Sequence, residues 1–244
     1  MRVLIISDIH GNEVALKAVL EDAENYDAIW VLGDLVDYGP DPHLVVDEVR
    51  FLKPELIVMG NHDNAVANNV DCRCLVKTHE LSVYTRKFIS LKLLSDDQIA
   101  WLRRLPIINE FKLDGIKFLA VHASPNNPLH GYLLPDLGRD EFLNYLTFIG
   151  ASEPVRYDYV VAGHTHIPMD RKIDDVRVVN PGSVGQPRDG DNRASYALLN
   201  TDSKSFIVKR VKYDIQEVIR RIDSLGIERR FRDWLVRILI TGEV

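Results

Sequence analysis

Cysteine is scarce: the chain has two in 244 residues. Two thiols cannot staple a chain of this size, so its stability must come from a packed core. Long apolar runs are also missing. None approaches the roughly 20 residues a membrane helix needs. The N-terminal run Val3–Ile6 is shorter than the apolar core of about 7–15 residues in a secretory signal. Basic charge is not in excess, since 30 Lys plus Arg face 36 Asp plus Glu for a net charge of −6. Bulk nucleic-acid binding needs clustered cations and is not expected. What is plentiful is apolar residues, at 46%, which excludes a disordered chain. These observations predict a cytoplasmic protein with no membrane partner, folded as one domain over 1–244.

The apolar residues fall into short runs, and each run ends in polar residues. Val3–Ile6 leads into Ser7-Asp8-Ile9-His10-Gly11-Asn12, and Ala28–Leu32 into Gly33-Asp34. Leu56–Met59 leads into Gly60-Asn61-His62-Asp63, Ile116–Val121 into His122, and Tyr159–Ala162 into Gly163-His164-Thr165-His166. Continuous runs of this length suit strands buried on both faces. Helical periodicity fills the first gaps. Val14, Ala15, Ala18 and Val19 follow the N-cap candidate Asn12, and Leu44 to Leu52 follow Asp41-Pro42. This alternation predicts βαβ units and a parallel sheet.

After Asp63 the pattern changes. Residues 64–105 read as helical throughout, with a capping box at Ser95-Asp96-Asp97-Gln98, and form a candidate lid or side wall. Hairpins follow, turning at Asp114-Gly115, Asp174-Asp175 and Asn200-Thr201-Asp202. The tail from Asp214 reads as two amphipathic helices broken at Gly226. The second carries Trp234, Leu235, Ile238, Leu239 and Ile240, which could dock within the chain or join two copies.

Ligands of open α/β sheets bind at the carboxyl ends of the strands. Five runs deliver metal-ligating residue types to that edge. Asp8 and His10 stand two apart, as do His164 and His166, so each pair is expected to leave its strand on one face. Carboxylate, imidazole and amide together suit Mn, Fe, Zn or Ni, with Mn favoured, rather than a thiolate-selective site. Two dications facing two carboxylates would leave net positive charge for a phosphate ester. Singly, each residue has an ordinary structural explanation. Five of the eight histidines at run ends do not.

Together these blocks resemble the calcineurin-like metallophosphoesterase superfamily, and within it the compact prokaryotic phosphodiesterases. The family's blocks appear in order as Asp8-Ile9-His10, Gly33-Asp34, Gly60-Asn61-His62-Asp63, His122 and Gly163-His164-Thr165-His166. Asn180-Pro181-Gly182-Ser183 also resembles a loop of those compact members. The resemblance implies an α/β fold in which a mixed two-sheet β sandwich is flanked by helices. It implies two metal ions, one held by Asp8, His10, Asp34 and His166, the other by Asp34, Asn61, His122 and His164. Asp34 would bridge them. A metal-bridging hydroxide would attack phosphorus. His62 would stabilise or protonate the leaving oxygen, with Asp63 holding its far nitrogen. The implied partner is a small phosphate-ester or nucleotide substrate.

The departures from the family matter too. Ser/Thr protein phosphatases carry a phosphate-gripping Arg soon after Gly-Asp; here Tyr38 stands near that place. They carry Glu where this chain has Asp63. Both differences favour phosphodiester or phosphoanhydride hydrolysis over phosphomonoester or protein-phosphatase activity. Arg188 or Arg193 could contact phosphate instead, although a solvated turn is the simpler reading of each. His130 is a rim candidate. Cys72 and Cys74 read as two reduced thiols, because no further Cys or near His completes a zinc set. One retromer subunit shares the fold as a non-catalytic scaffold, but a scaffold has no use for an imidazole such as His62 that binds no metal.

Overall fold

The computed structural model describes all residues, Met1–Val244. The strands are β1 (Arg2–Ile6), β2 (Ala28–Val31), β3 (Leu56–Ile57), β4 (Ile108–Leu113), β5 (Ile116–Val121), β6 (Tyr159–Val161), β7 (Met169–Ile173), β8 (Val176–Asn180), β9 (Ala194–Asn200) and β10 (Ser205–Val211). The helices are α1 (Glu13–Asp22), α2 (Pro42–Leu52), α3 (Asn61–Asn68), α4 (Val76–Thr85), α5 (Leu91–Leu93), α6 (Asp96–Arg103), α7 (Arg139–Tyr145), α8 (Ile215–Ser224) and α9 (Arg229–Thr241). A π turn, Arg86–Ser90, joins α4 to α5.

Two five-stranded sheets form, in the orders β10-β9-β1-β2-β3 and β4-β5-β6-β8-β7. In the first, β1, β2 and β3 are parallel up to one edge and β9 and β10 add antiparallel on the other side; in the second, β5, β6 and β8 form a parallel centre with β4 and β7 antiparallel at the two edges. The single strand edge expected from the sequence is therefore the common edge of two stacked sheets. The reason lies in alternation within the apolar runs. Val3 and Ile5 of β1 face Phe118, Ala120 and Val161 of the other sheet. Leu4 and Ile6 face Leu16, Val19 and Val45 of the flanking helices. Leu119, Val121 and Val160 of the second sheet do the same with Phe142 and Leu146 on the far side. The central strands have two buried faces, which is why runs such as Val3–Ile6 and Phe118–Val121 are continuously apolar.

Local signals placed the helices well. Asn12 caps α1, accepting from the Ala15 N–H at 3.0 Å. Ser95 and Gln98 form the expected capping box of α6. The helical segment begins earlier than expected, at Asn61, so three candidate site residues, Asn61, His62 and Asp63, lie in the first turn of α3. The C-terminal helix docks within the chain. Phe231, Leu235 and Ile238 are buried against Leu81 and Tyr84 of α4, with Tyr84 stacked on Phe231 at 3.7 Å. No helix is long and apolar enough to cross a membrane.

Candidate metal centre

The loops after β1, β2, β3, β5 and β6 converge at the shared edge of the sheets. Asp8, His10, Asp34 and His166 each bring one ligand-type atom into a cluster whose members all lie within 4.8 Å of one another. Asp34, His122 and His164 form a second such cluster, so Asp34 belongs to both. Asn61 joins the second, its Oδ1 lying 3.1 Å from His122 Nε2 and 3.1 Å from His164 Nδ1. All of these residues are buried.

Strand alternation does not explain how the paired residues converge. Asp8 and His10 lie beyond the end of β1, with φ of 53° and 47°; His164 and His166 lie beyond β6, with φ of 65° and 60°. Asp34, Asp37 and Tyr38 are left-handed as well. Each such residue costs on the order of 1–3 kcal/mol, and such strain collects at functional sites. Close approach is the other local device. Gly60 has an ordinary φ of −87°, but a Cβ there would collide with the Asp34 carboxylate. A Cβ at Gly163 would meet Ser7 and Asp8 in the same way.

The hydrogen bonds fix which nitrogens face inward. Nδ1–H of His10 donates to Val36 O at 2.9 Å, that of His122 to Leu32 O at 2.6 Å, and that of His166 to Gln186 O at 2.5 Å. A carbonyl can only accept, so in neutral rings each Nε2 carries a lone pair. Yet His10 Nε2 and His166 Nε2 are 3.2 Å apart. Asn61 donates its amide to Cys72 O, which turns its Oδ1 toward the lone pairs of the second cluster. Asp8 Oδ1, Asp34 Oδ2 and His164 Nε2 are buried without a hydrogen-bond partner. Acceptors packed this closely repel unless positive charge lies between them. Carboxylate and imidazole donors with backbone-oriented rings fit divalent metal ions.

The electrostatics agree. Burial pushes His10 down to about 3 and holds His164 and His166 well below the usual imidazole range, so all three are neutral. Burial works against a charged Asp34, but the neighbouring His122, His62 and His10 hold its carboxyl well below the ordinary range. Asp8 is raised to about 7 by burial, with Asp34 adding to the effect. His122 resists burial and rises to about 9 because it faces Asp34 and Asp8. Cations must displace those protons. Apparent metal affinity should therefore rise with pH through about 7 and on toward about 9. Calorimetric titration in buffers of different ionisation heat should read protons released, and no release would count against this ligand assignment.

His62 is buried beside the clusters and lies outside both. Its ring lies 5.0 Å from that of His10, edge-on. The partner of its Nδ1 is Asp37, at 3.0 Å, and not Asp63. Asp63 is fully engaged elsewhere. Its carboxylate accepts from the N–H groups of Gly60 at 2.9 Å, Asp34 at 2.8 Å and Leu35 at 2.8 Å, tying α3 to the loop after β2. Asp63 thus positions the loop that carries Asp34, and Asp37 takes the place expected of it beside His62. Ser90 donates to Asp37 Oδ1 at 2.9 Å, and Ser82 Oγ lies 3.4 Å from Asp37 Oδ2 and 3.2 Å from His62 Nδ1. The only sequence hint of Asp37 was a carboxylate three residues after Asp34. Ser82 and Ser90 gave no hint.

The two arginines separate. Arg193 is exposed and paired with Asp191, as the solvated-turn reading has it. Arg188 is half-buried, holds Gln186 Oε1 at 2.7 Å, and lies near enough to lower His10, His164 and His166 through its charge. Tyr132 was not singled out in the sequence. Its ring packs on His164 at 4.5 Å, and its hydroxyl is buried without a partner. His130 has a buried, unpartnered Nδ1 on the same loop.

Comparison with known proteins places this geometry. A sequence profile of the calcineurin-like phosphoesterase superfamily domain matches residues 1–204. The crystal structure of a metallophosphoesterase from Sphaerobacter thermophilus superposes with a TM-score of 0.79 at 32% identity, covering 99% of this chain and 100% of that one. Phosphodiesterase YfcE of Escherichia coli K12 is 27% identical over 85% of this chain and 91% of its own length. A symmetrical bis(5'-nucleosyl)-tetraphosphatase of Pectobacterium carotovorum is 34% identical over 50% of this chain and 43% of its own. With most of its length inside the profile and a full-length structural counterpart, this chain belongs to the calcineurin-like phosphoesterase superfamily and is a hydrolase of phosphoric esters.

Proposed function

We propose that the protein hydrolyses phosphodiester or nucleotide-like phosphoanhydride substrates with two divalent cations, manganese favoured. Asp8, His10, Asp34 and His166 would hold one, and Asp34, Asn61, His122 and His164 the other. The observation that carries this reading is the pair of clusters sharing Asp34, with His62 buried beside them and committed to neither. Two cations there would supply Lewis-acid charge to the phosphoryl oxygens and lower the pKa of a water nucleophile.

The chain's own groups supply the rest. His62 holds the proton for the leaving oxygen, and Asp37 fixes its tautomer by binding Nδ1. Segment 64–105 serves as a side wall, bringing Ser82 and Ser90 to Asp37. Tyr38 cannot replace a phosphate-gripping Arg, because its ring is buried at 4.9 Å from His10 and it carries no charge. Arg188 and the Tyr132 hydroxyl are the groups left to bind a second phosphate or a nucleoside. Names of relatives lend support, since one is a phosphodiesterase and another acts on a bis-nucleosyl tetraphosphate.

The test compares kcat/KM for bis-nitrophenyl phosphate, a dinucleoside tetraphosphate and a phosphoserine peptide under one manganese condition. Diester or polyphosphate should lead. A peptide value about tenfold above both, a difference of about 1.4 kcal/mol in transition-state binding, would overturn the substrate class in favour of phosphomonoester hydrolysis. Arg188→Ala should raise KM for the polyphosphate by about tenfold, as expected for a lost charged hydrogen bond of 1.5–3 kcal/mol weakened by partial exposure. An unchanged KM would place Arg188 outside the substrate site.

A further inference from the structure

The loop between α3 and α4 carries both cysteines of the chain. Cys72 is buried and Cys74 half-buried, and the Cys72 thiol donates to Cys74 Sγ at 2.8 Å. Both Sγ atoms and a ring nitrogen of His62 lie within 4.8 Å of one another. The sequence offered no third ligand because His62 is ten positions upstream in a different motif. The start of α3 folds it back onto the loop. The arrangement is held from two sides. Asn61 donates to Cys72 O at 2.9 Å, and Ser82 Oγ lies 3.3 Å from Cys72 Sγ.

Two sulfurs and an imidazole form a softer donor set than the oxygen and nitrogen atoms of the neighbouring clusters, which favours zinc or cadmium over manganese. Three protein ligands with an open fourth position are a known arrangement for a tetrahedral ion. Two thiolates also neutralise a dication, which makes its burial tolerable where an isolated charge would not be. We propose that Cys72, Cys74 and His62 form a third cation site, selective for thiophilic d¹⁰ ions, whose occupation takes His62 away from the phosphoester reaction.

Coordination through one ring nitrogen would remove the proton-donating position, and coordination through the other would displace Asp37. Either way the ion inhibits. The inhibitory half of this proposal rests on the reading of His62 as proton donor; the binding half does not. The ion enters as a dication and two thiol protons leave to solvent, so no redox partner is needed.

The test loads the protein with manganese and titrates cadmium, following the thiolate-to-cadmium charge-transfer band in the ultraviolet together with turnover. One equivalent should saturate the band. The band should vanish in Cys72→Ser and in Cys74→Ser, and cadmium affinity should fall in His62→Ala by more than the about 10–100-fold that loss of an outer-shell partner costs. Turnover should fall along the same curve as the band rises. Absence of the band, or unchanged cadmium affinity in His62→Ala, would overturn the site. So would recovery of a Cys72–Cys74 disulfide from untreated protein by mass spectrometry. Inhibition surviving in both serine variants would mean displacement of manganese and would overturn the coupling to His62. If the phosphoesterase reading itself failed, no turnover would be seen while the band and its ligand dependence remained.

Discussion

Asp34→Ala should cost the protein both cations, whereas Asp8→Asn or Asn61→Ala should cost one. The two oxygens of Asp34 are used differently. Oδ1 accepts from the His62 N–H at 2.9 Å. Oδ2 has no hydrogen-bond partner and lies 3.7 Å from His10 Nε2 in one cluster and 3.2 Å from His122 Nε2 in the other. Removing the side chain leaves Asp8 as the only carboxylate in either cluster. With the shared negative charge gone, each cation loses a ligand and the two lose the charge that offsets their mutual repulsion, so both sites weaken. Affinity should fall by more than the about 10–100-fold that loss of an outer-shell partner costs. Turnover should fall by at least the 10²–10³-fold typical of losing a single preorganised electrostatic contact, roughly, because two cations depend on this group. Asp34→Asn is the sharper variant. It keeps an oxygen for the His62 N–H and replaces the other, with its charge, by an amide NH2 that cannot hold a cation. Elemental analysis of protein purified without chelator decides the matter: two metal equivalents held by Asp34→Asn with unchanged affinity would sink the bridging role.

How far the sequence could be read depends on which physics fixed each residue. Local physics was legible. Asn12 and Ser95 announce their helices because a cap is a short-range hydrogen bond, and Asp114-Gly115 announces its hairpin because only certain residues turn there. The seven residues of the candidate metal centre were legible as a set because their types recur at run ends. Why they converge was not. Asp8, His10, His164 and His166 meet through left-handed backbone, and the cost of that conformation is borne by contacts across two sheets that no local window contains. Division of the strands between two sheets was legible only through the family resemblance, since a strand buried on both faces reads the same in one sheet or in two. The Asp63 misassignment has the same root. Adjacency to His62 suggested a partnership, but in the first turn of a helix adjacent side chains diverge. The carboxylate turns back to cap Gly60, while Asp37 arrives from another loop.

His62→Ala should retain the metals and lose roughly 10²–10⁴ of kcat, the usual share of a general acid. Neither cluster includes His62, and its backbone N–H, which binds Asp34, survives the substitution. Burial alone would strip the imidazole of its proton; Asp34 and the hydrogen bond to Asp37 reverse this and raise it to about 9. A ring so placed holds a proton at neutral pH and can release it to an oxygen that departs with negative charge. The loss should be largest for alkyl leaving groups, which need that proton, and small for nitrophenolate, which does not. Asp37→Asn isolates the second half of the argument. Without that carboxylate the folded His62 loses its proton at lower pH. The alkaline limb of kcat/KM must then move downward in pH while metal content stays at the wild-type level. Ser90→Ala should do the same more weakly, because Ser90 only holds Asp37 in place. Equal losses for alkyl and nitrophenyl esters in His62→Ala would reduce His62 to an electrostatic contact. An unmoved alkaline limb in Asp37→Asn would mean that the proton for the leaving oxygen comes from another group.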